Sequence, residues 1–195
     1  MKHEVLPGTL LIAGPGLVDP NFRRAVVLVC EHSEEGSMGL VLNRPLNAPL
    51  AKVFPQLAKL ASADSAAAEE TLGNLHCGGP VENGRLLVLS TGAQVGEDDR
   101  RVLEGIYLVA DVGAVLSDLA AGIVVPSAYR FFLGYSGWGE GQLDQELAEE
   151  SWITRVGQDK LIFATRPDAI WSEALRALGG VYRFYAEMPH DPSMN

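Results

Sequence analysis

The chain has 195 residues, of which 47% are hydrophobic and 21% are charged, a composition typical of a globular domain. Its 25 acidic and 15 basic residues give a net charge of −10 at pH 7, a field that repels nucleic acid and anionic lipid. The longest uninterrupted apolar run is six residues, Ala25 to Cys30, and a transmembrane helix needs roughly 20. We therefore expect no direct nucleic-acid binding and no membrane insertion.

Cys30 and Cys77 are the only cysteines, and neither belongs to a CxxC pair. Cysteine spacing thus predicts neither a zinc site nor a redox motif, and we expect no metal and no cofactor. Cys30 ends an apolar run and is predicted to be a buried hydrophobe. Two lone thiols are typical of a reducing compartment, which predicts a cytoplasmic protein. Met1 to Leu6 has one lysine and no apolar stretch, so we expect no signal peptide.

Three strands are predicted in the first quarter of the chain. Thr9 to Ala13 is an apolar run between turns rich in Pro and Gly, which indicates a short buried strand. The Val-rich run from Ala25 to Cys30 and the run from Met38 to Asn43 are predicted to be neighbouring antiparallel strands. The residues between them, Glu31 to Ser37, are predicted to form the connecting loop.

The next segment predicts an interrupted helix and then an insertion. Helical spacing links Leu50, Val53, Phe54 and Leu57, but Pro55 falls inside this stripe, so we expect a kink or two short helices with Pro55 opening the second. Residues 61–73 are rich in Ala, Ser, Asp and Glu. Such side chains cannot offset an ordering cost of roughly 1–2 kcal/mol per residue. This range is predicted to be a mobile insertion.

The second half of the chain is also predicted to contain both strands and helices. Strands are predicted at Arg85–Leu89, Ile106–Ala110 and Tyr129–Tyr135. Asp111 is predicted to cap a helix that Gly122 ends. A glycine-rich turn should precede an acidic helix at about 140–150, Pro167 should open the last helix, and residues from about 187 should form a tail.

Together these elements predict one α+β domain spanning residues 1–195, with a mixed, mostly antiparallel sheet flanked by about four helices. Trp138, Trp152 and Trp171 are predicted to pack in or beside its core.

Gly134-Tyr135-Ser136-Gly137-Trp138 lies between a predicted strand and a predicted helix, as a Gly-x-Ser-x-Gly nucleophile elbow would. The elbow needs a small fifth residue, and the histidine that must follow the serine could only be His190 in the tail. A turn followed by a helix N-terminus is the favoured interpretation. The glycines that follow match no phosphate-binding spacing and have no lysine, so we predict neither a catalytic residue nor a phosphate site.

Asp19, Asn43 and Arg44 form a candidate polar cluster, either structural or ligand-binding. In an antiparallel hairpin the end of the second strand lies beside the start of the first, which places Arg44 near Asp19 and Arg23. The favoured role is structural: Arg44 in a charge-assisted hydrogen bond with Asp19. His32 belongs about 20 Å away at the other end of the hairpin, as an outlier candidate. A hydrogen-bonded histidine is favoured there over a metal ligand.

Several segments, in their order and spacing, resemble the AlgH/YqgE family of bacterial proteins from Leu6 to Leu178. They are Gly8–Ala13, Asp19–Phe22, Cys30–His32, Gly39–Pro45, Gly78–Val81, Gly134–Tyr135, Gly137–Trp138 and Gly141–Leu143. The resemblance implies a compact α+β fold on a partly barrel-like sheet. Some members are labelled transcriptional regulators on genetic grounds, but the resemblance implies no reaction. The chain departs from the pattern at Ser136, where Ala is commoner, and at Ser90, where His is expected.

Two functional hypotheses follow. The first is a non-enzymatic regulatory or interaction protein, such as an indirect transcriptional regulator, that acts through a protein partner or a small ligand. The alternative is an uncharacterised enzyme, such as a hydrolase, with a cleft lined by Asn43, Arg44 and His32. A deep pocket with a carboxylate or a histidine facing Arg44 would favour the enzyme.

Overall fold

The computed structural model describes residues 5–57, 74–92, 96–164 and 166–188. These residues form ten strands: β1 Thr9–Ala13, β2 Val26–Ser33, β3 Gly36–Val41, β4 Pro45–Pro49, β5 Asn74–Cys77, β6 Val81–Thr91, β7 Arg100–Leu103, β8 Ile106–Leu108, β9 Tyr129–Gly139 and β10 Trp152–Val156. Their five α-helices are α1 Leu50–Val53, α2 Val112–Ala120, α3 Gln142–Ala148, α4 Pro167–Leu178 and α5 Tyr182–Ala186.

The strands build one curled sheet in the order β10-β1-β2-β3-β9-β6-β8-β7. Neighbours along this path are antiparallel, β5 runs parallel to β9, and β4 pairs with β5. The curl brings β7 back towards the first strands: a Cβ on Gly8 would lie 2.9 Å from the Val102 oxygen, and Arg100 forms an ion pair with Glu31 of β2. The predicted α+β fold with a mixed, partly barrel-like sheet is confirmed.

The β2–β3 hairpin is confirmed with a longer reach than predicted. Val27 pairs with Val41 and Leu28 with Leu40, so the strands are antiparallel neighbours. The pairing extends through His32 and Ser37, which leaves a tight turn where we expected a loop over Glu31–Ser37. The polar side chains did not end the strands, because β3 also pairs with β9 and thus has hydrogen-bonding partners on both sides.

The glycine-rich turn predicted after Tyr135 is wrong. Strand β9 runs on to Gly139, because Ser136–Gly139 pair with Gly36–Gly39 of β3. Ser136 is fully buried within this strand, and its hydroxyl donates a hydrogen bond of 3.2 Å to the Gly78 carbonyl. A nucleophile elbow needs a sharp strand-to-helix turn at its serine, and this serine lies in continuous strand.

Buried side chains form three groups around the sheet. The first contains Trp171 of α4, the second contains the apolar face of α2, and the third contains Trp138 and Trp152. The three tryptophans are therefore buried as predicted. Neighbouring residues of β9 face different groups, since Phe131 joins the second and Phe132 the first, as the period of two in a strand requires.

The predicted helix signals are confirmed. The Asp111 carboxylate accepts a 2.9 Å hydrogen bond from the Ala114 amide, Gly122 has a φ of 69° just after α2, and Pro167 opens α4. Pro55 separates α1 from a short 3₁₀ turn at Pro55–Leu57. No helix of the described residues is long and apolar enough to cross a membrane. The insertion predicted at 61–73 and the tail beyond residue 188 lie outside the described residues.

Ser90 of β6 is fully buried, and its hydroxyl has no hydrogen-bond partner within the described residues. An unsatisfied buried hydroxyl costs about 1–3 kcal/mol. We therefore expect Ser90→Ala to leave the free energy of unfolding unchanged within about 0.5 kcal/mol or to raise it, as measured by urea denaturation. Ser136→Ala is the matched control, because it removes a satisfied hydroxyl and should cost about 1 kcal/mol. A larger loss for Ser90→Ala than for Ser136→Ala would contradict this assignment.

Candidate functional site

A cleft of about 430 Å³ opens beside Arg44, and we call it the Arg44 cleft. The loop before β2, the end of β3, the Gly78–Pro80 segment and β9 all contribute to its walls. In the part of the chain that the structure describes, Arg44 is the one charged residue in its lining. The other lining residues are the amides Asn21 and Asn83, the Cys77 thiol, Gly79, and the apolar residues Pro20, Val41, Leu46, Pro80 and Leu133.

Asn43 holds the start of β2 in place. Its side-chain oxygen accepts a 2.9 Å hydrogen bond from the Val26 amide, and its side-chain nitrogen donates a 2.8 Å hydrogen bond to the Arg24 carbonyl. Arg24 has a φ of 55°, a left-handed conformation that a non-glycine residue adopts only when its surroundings hold it. Asn43 thus stabilises a strained turn and has a structural role.

Arg44 uses main-chain oxygens as its acceptors. Its guanidinium donates to the Arg23 carbonyl and, at 3.3 Å, to the Asn43 carbonyl. Antiparallel hairpin geometry predicts that Arg44 lies beside Arg23, and the two residues are in contact. Burial lowers the pKa of Arg44 from its ordinary value.

Asp19 does not take the role predicted for it. Its carboxylate accepts a 2.8 Å hydrogen bond from the Asn21 amide, and no ion pair joins it to Arg44 among the described residues. The physical reason is local: Asp19 closes a turn within its own exposed loop, while the Arg23 carbonyl offers Arg44 a nearer acceptor. The Arg44 charge therefore lies in the cleft without a carboxylate partner among the residues that the structure describes.

His32 lies in a different place. It belongs to β2, and its Nδ1 is 2.8 Å from the Ser37 hydroxyl across the hairpin. It lines a second, more open groove of about 740 Å³, together with Glu31 and Arg100. Neither His32 nor Asn43 lines the Arg44 cleft, so the three residues of the hydrolase hypothesis do not form one site.

The donors of the cleft suit an anion. A guanidinium has five N–H donors, and the main-chain acceptors of Arg44 use two of them. A carboxylate or phosphate could accept hydrogen bonds from the others. The described lining contains no histidine or carboxylate that could act as a general base.

Cys77 and Asn83, which were not predicted as site residues, reach the cleft from distant parts of the chain. Their one signal was the neighbouring Gly78-Gly79-Pro80 segment, because adjacent glycines permit close approach of main chains. Cys77 is half-buried, and its thiol donates to the Gly79 carbonyl at 3.7 Å.

The sequence profile of the family described as AlgH-like (DUF179) matches residues 10–183. The chain belongs to the AlgH-like family. Two similar relatives are UPF0301 proteins, and both are matched over nearly their whole length. The protein from Chlorobium limicola is 35% identical, over 98% of this chain and 97% of its own. CT0663 from Chlorobaculum tepidum is 36% identical, over 100% of this chain and 98% of its own.

Two solved structures resemble this AlgH-like chain. The solution structure of AlgH from Pseudomonas aeruginosa is 32% identical, covers 98% of this chain and 100% of its own, and has a TM-score of 0.72. The crystal structure of DIP2367 from Corynebacterium diphtheriae is 22% identical, covers 96% of this chain and 95% of its own, and has a TM-score of 0.77. The second likeness shows a shared fold alone, and the predicted family is confirmed by the first and by the profile.

Proposed function

We propose that this AlgH-like protein is a non-enzymatic regulatory protein of the cytoplasm, which acts by binding, and that the Arg44 cleft receives a small anionic ligand. One observation carries the proposal: the half-buried Arg44 guanidinium is the one charge in the described cleft lining and faces no carboxylate there. A partly desolvated cation attracts an anion more strongly than a fully solvated one, because the local dielectric constant is lower.

The regulatory role is proposed to be indirect. A net charge of −10 opposes direct contact with DNA, whose binding normally depends on neutralising phosphates. Ligand binding would instead change how the protein contacts another protein. The hydrolase alternative has less support, because the described lining of the cleft holds no histidine or carboxylate that could activate water.

Inorganic phosphate, acetate and succinate are suitable probes for the cleft. At a concentration ten times its dissociation constant, a bound probe should stabilise the protein by about 1.4 kcal/mol. For a chain of this size, that corresponds to a rise in melting temperature of roughly 3–5 °C in a thermal-shift assay. We expect at least one probe to produce such a rise, and Arg44→Gln to abolish it.

Arg166→Gln is the matched control, because Arg166 is an exposed arginine outside the cleft lining. Each variant is compared with its own melting temperature without ligand, so a general loss of stability in Arg44→Gln does not affect the comparison. If no probe shifts the wild-type protein, or if Arg44→Gln responds like Arg166→Gln, the cleft is not an anion site.

A further inference from the structure

One edge of the sheet, strand β10, carries main-chain groups without partners among the described residues. β10 pairs only with β1 there. The Gly14 amide donates a 2.9 Å hydrogen bond to the Ser151 carbonyl, and the Gly157 amide donates a 2.8 Å hydrogen bond to the Gly8 carbonyl. These two bonds fix which residues of β10 are hydrogen-bonded to β1. Alternate residues of an antiparallel pair exchange main-chain hydrogen bonds, so the N–H and C=O groups of Ile153 and Arg155 point towards β1. The N–H and C=O groups of the intervening residues, Trp152, Thr154 and Val156, therefore point away from the sheet.

Within the part of the chain that the structure describes, this edge lacks the protection that exposed strand edges usually have. A charged side chain or a proline commonly blocks such an edge. The one charged residue of β10, Arg155, is instead bound to α4, where its guanidinium donates a 3.2 Å hydrogen bond to the Ala174 carbonyl. Val156, at the end of the strand, is 79% exposed. The opposite edge strand, β7, lies against Gly8 and is tied to β2 through the Arg100–Glu31 ion pair.

We propose that β10 pairs antiparallel with β10 of a second copy of this chain, on a two-fold axis through Thr154. This register is the one that uses all three outward-pointing residues. Thr154 faces Thr154 of the other copy, Trp152 faces Val156 and Val156 faces Trp152, and each pair exchanges two hydrogen bonds. A shift of the axis by one residue would leave an outward-pointing residue of each strand unpaired.

Side chains favour a second copy over an unrelated extended peptide. The symmetric register covers the exposed Val156 of each copy, and removing its apolar surface from water stabilises the contact. Thr154 facing itself is also a favourable cross-strand pair. On the other face, the apolar stem of Arg155 lies beside Ile153 of the second copy. The strand is thus complementary to itself, and an isologous contact of this kind closes as a dimer. The inference is independent of the Arg44 cleft.

Substitutions at Thr154 test the pairing. Thr154→Pro removes an N–H that points outward, so the bonds to β1 are kept, and proline is tolerated on an edge strand in such a position. Thr154→Val keeps the N–H and the branched shape. Sedimentation velocity of the full chain from ~5 µM to ~0.5 mM should show a dimer of wild type and of Thr154→Val, because a contact of this small size associates weakly. Thr154→Pro should associate at least about tenfold more weakly.

Circular dichroism and the melting temperature show whether Thr154→Pro is folded. Amide hydrogen exchange of the wild-type chain gives a second measurement that needs no variant. Exchange at Trp152, Thr154 and Val156 should slow as the protein concentration rises, while Ile153 and Arg155 stay protected throughout. A wild-type chain that is monomeric to ~0.5 mM, or a folded Thr154→Pro that dimerises as Thr154→Val does, overturns the proposal. Exchange at these three amides that is independent of concentration also overturns it.

Discussion

Gly79→Ala is expected to lower the free energy of unfolding by roughly 3–5 kcal/mol. Gly79 has a φ of 152°, a conformation that residues with a side chain rarely adopt. A Cβ there would lie closer than 3.0 Å to the Tyr135 carbonyl group and to the Ser136 amide nitrogen. Both are main-chain atoms of β9, the strand with neighbours on either side, so they cannot move aside as a flexible side chain can. Urea denaturation followed by circular dichroism measures the loss.

The control is Gly84→Ala, on the exposed part of β6. Apart from Gly84 and its two chain neighbours, no described residue has an atom within 4 Å of a Cβ at this position. Alanine there should change the free energy of unfolding by less than about 1 kcal/mol, and in the stabilising direction if the reduced entropy of the unfolded chain dominates. Equal stabilities for the two variants would mean that the Gly78–Pro80 segment does not approach β9 as described. Because Gly79 lines the Arg44 cleft, that result would also move a wall of the candidate site.

The part of the fold that the sequence predicts well is local. β1, the first part of β2 and the end of β3 are apolar, so hydrophobic patterning alone locates these strands. The caps at Asp111, Gly122 and Pro167 act within one helical turn and are equally visible. These features need no knowledge of which distant residues become neighbours.

The strands that the sequence did not predict depend on distant partners. β7 begins with Arg100-Arg101 and β10 contains Thr154-Arg155, so neither has a continuous apolar run. Their backbones become strands because β8 and β1 offer hydrogen-bonding partners. Strand propensity depends on such neighbours more than helix propensity does.

Glycine misled the prediction around Ser136 for a related reason. Gly134, Gly137 and Gly139 indicate a turn by composition, but in β9 they lie in a continuous strand. A glycine in a strand interior often marks a bulge or close approach of another main chain. A Cβ on Gly134 would lie 2.7 Å from the Gly79 oxygen, and the β6–β9 register shifts in this region. Composition cannot separate that role from a turn, because the approaching segment is distant in sequence.

The candidate site was predicted in part. Antiparallel geometry follows from the two strands alone, and it predicts Arg44 beside the loop before β2. The partner predicted for Arg44 was wrong, because main-chain carbonyls are acceptors at every residue and leave no trace in the sequence. The lining residues Cys77 and Asn83 were missed because β5 and β6 are brought to the cleft only by the folded sheet.

Arg130 of β9 was not singled out from the sequence, yet its guanidinium connects three distant segments. It donates to the Ile162 carbonyl and, at 3.0 Å, to the Leu42 carbonyl, and both of these residues are fully buried. Its Nη2 also lies 2.7 Å from Nε2 of His76 in β5. Since a guanidinium nitrogen only donates, Nε2 must be the acceptor and the ring proton must reside on Nδ1. Burial lowers the pKa of Arg130 to about 10.

Arg130→Met is therefore expected to lower the free energy of unfolding by about 3–5 kcal/mol. Methionine fills much of the same volume but donates no hydrogen bond, so it leaves buried acceptors unsatisfied at about 1–3 kcal/mol each. Arg101→Met, on exposed β7, removes the same charge and should change the free energy of unfolding by less than about 0.5 kcal/mol in the same urea titration. If the two variants lose equal stability, the cost comes from the charge of the whole chain. A loss confined to Arg130→Met would instead show that the acceptors of Arg130 determine it: the Ile162 and Leu42 carbonyls and Nε2 of His76.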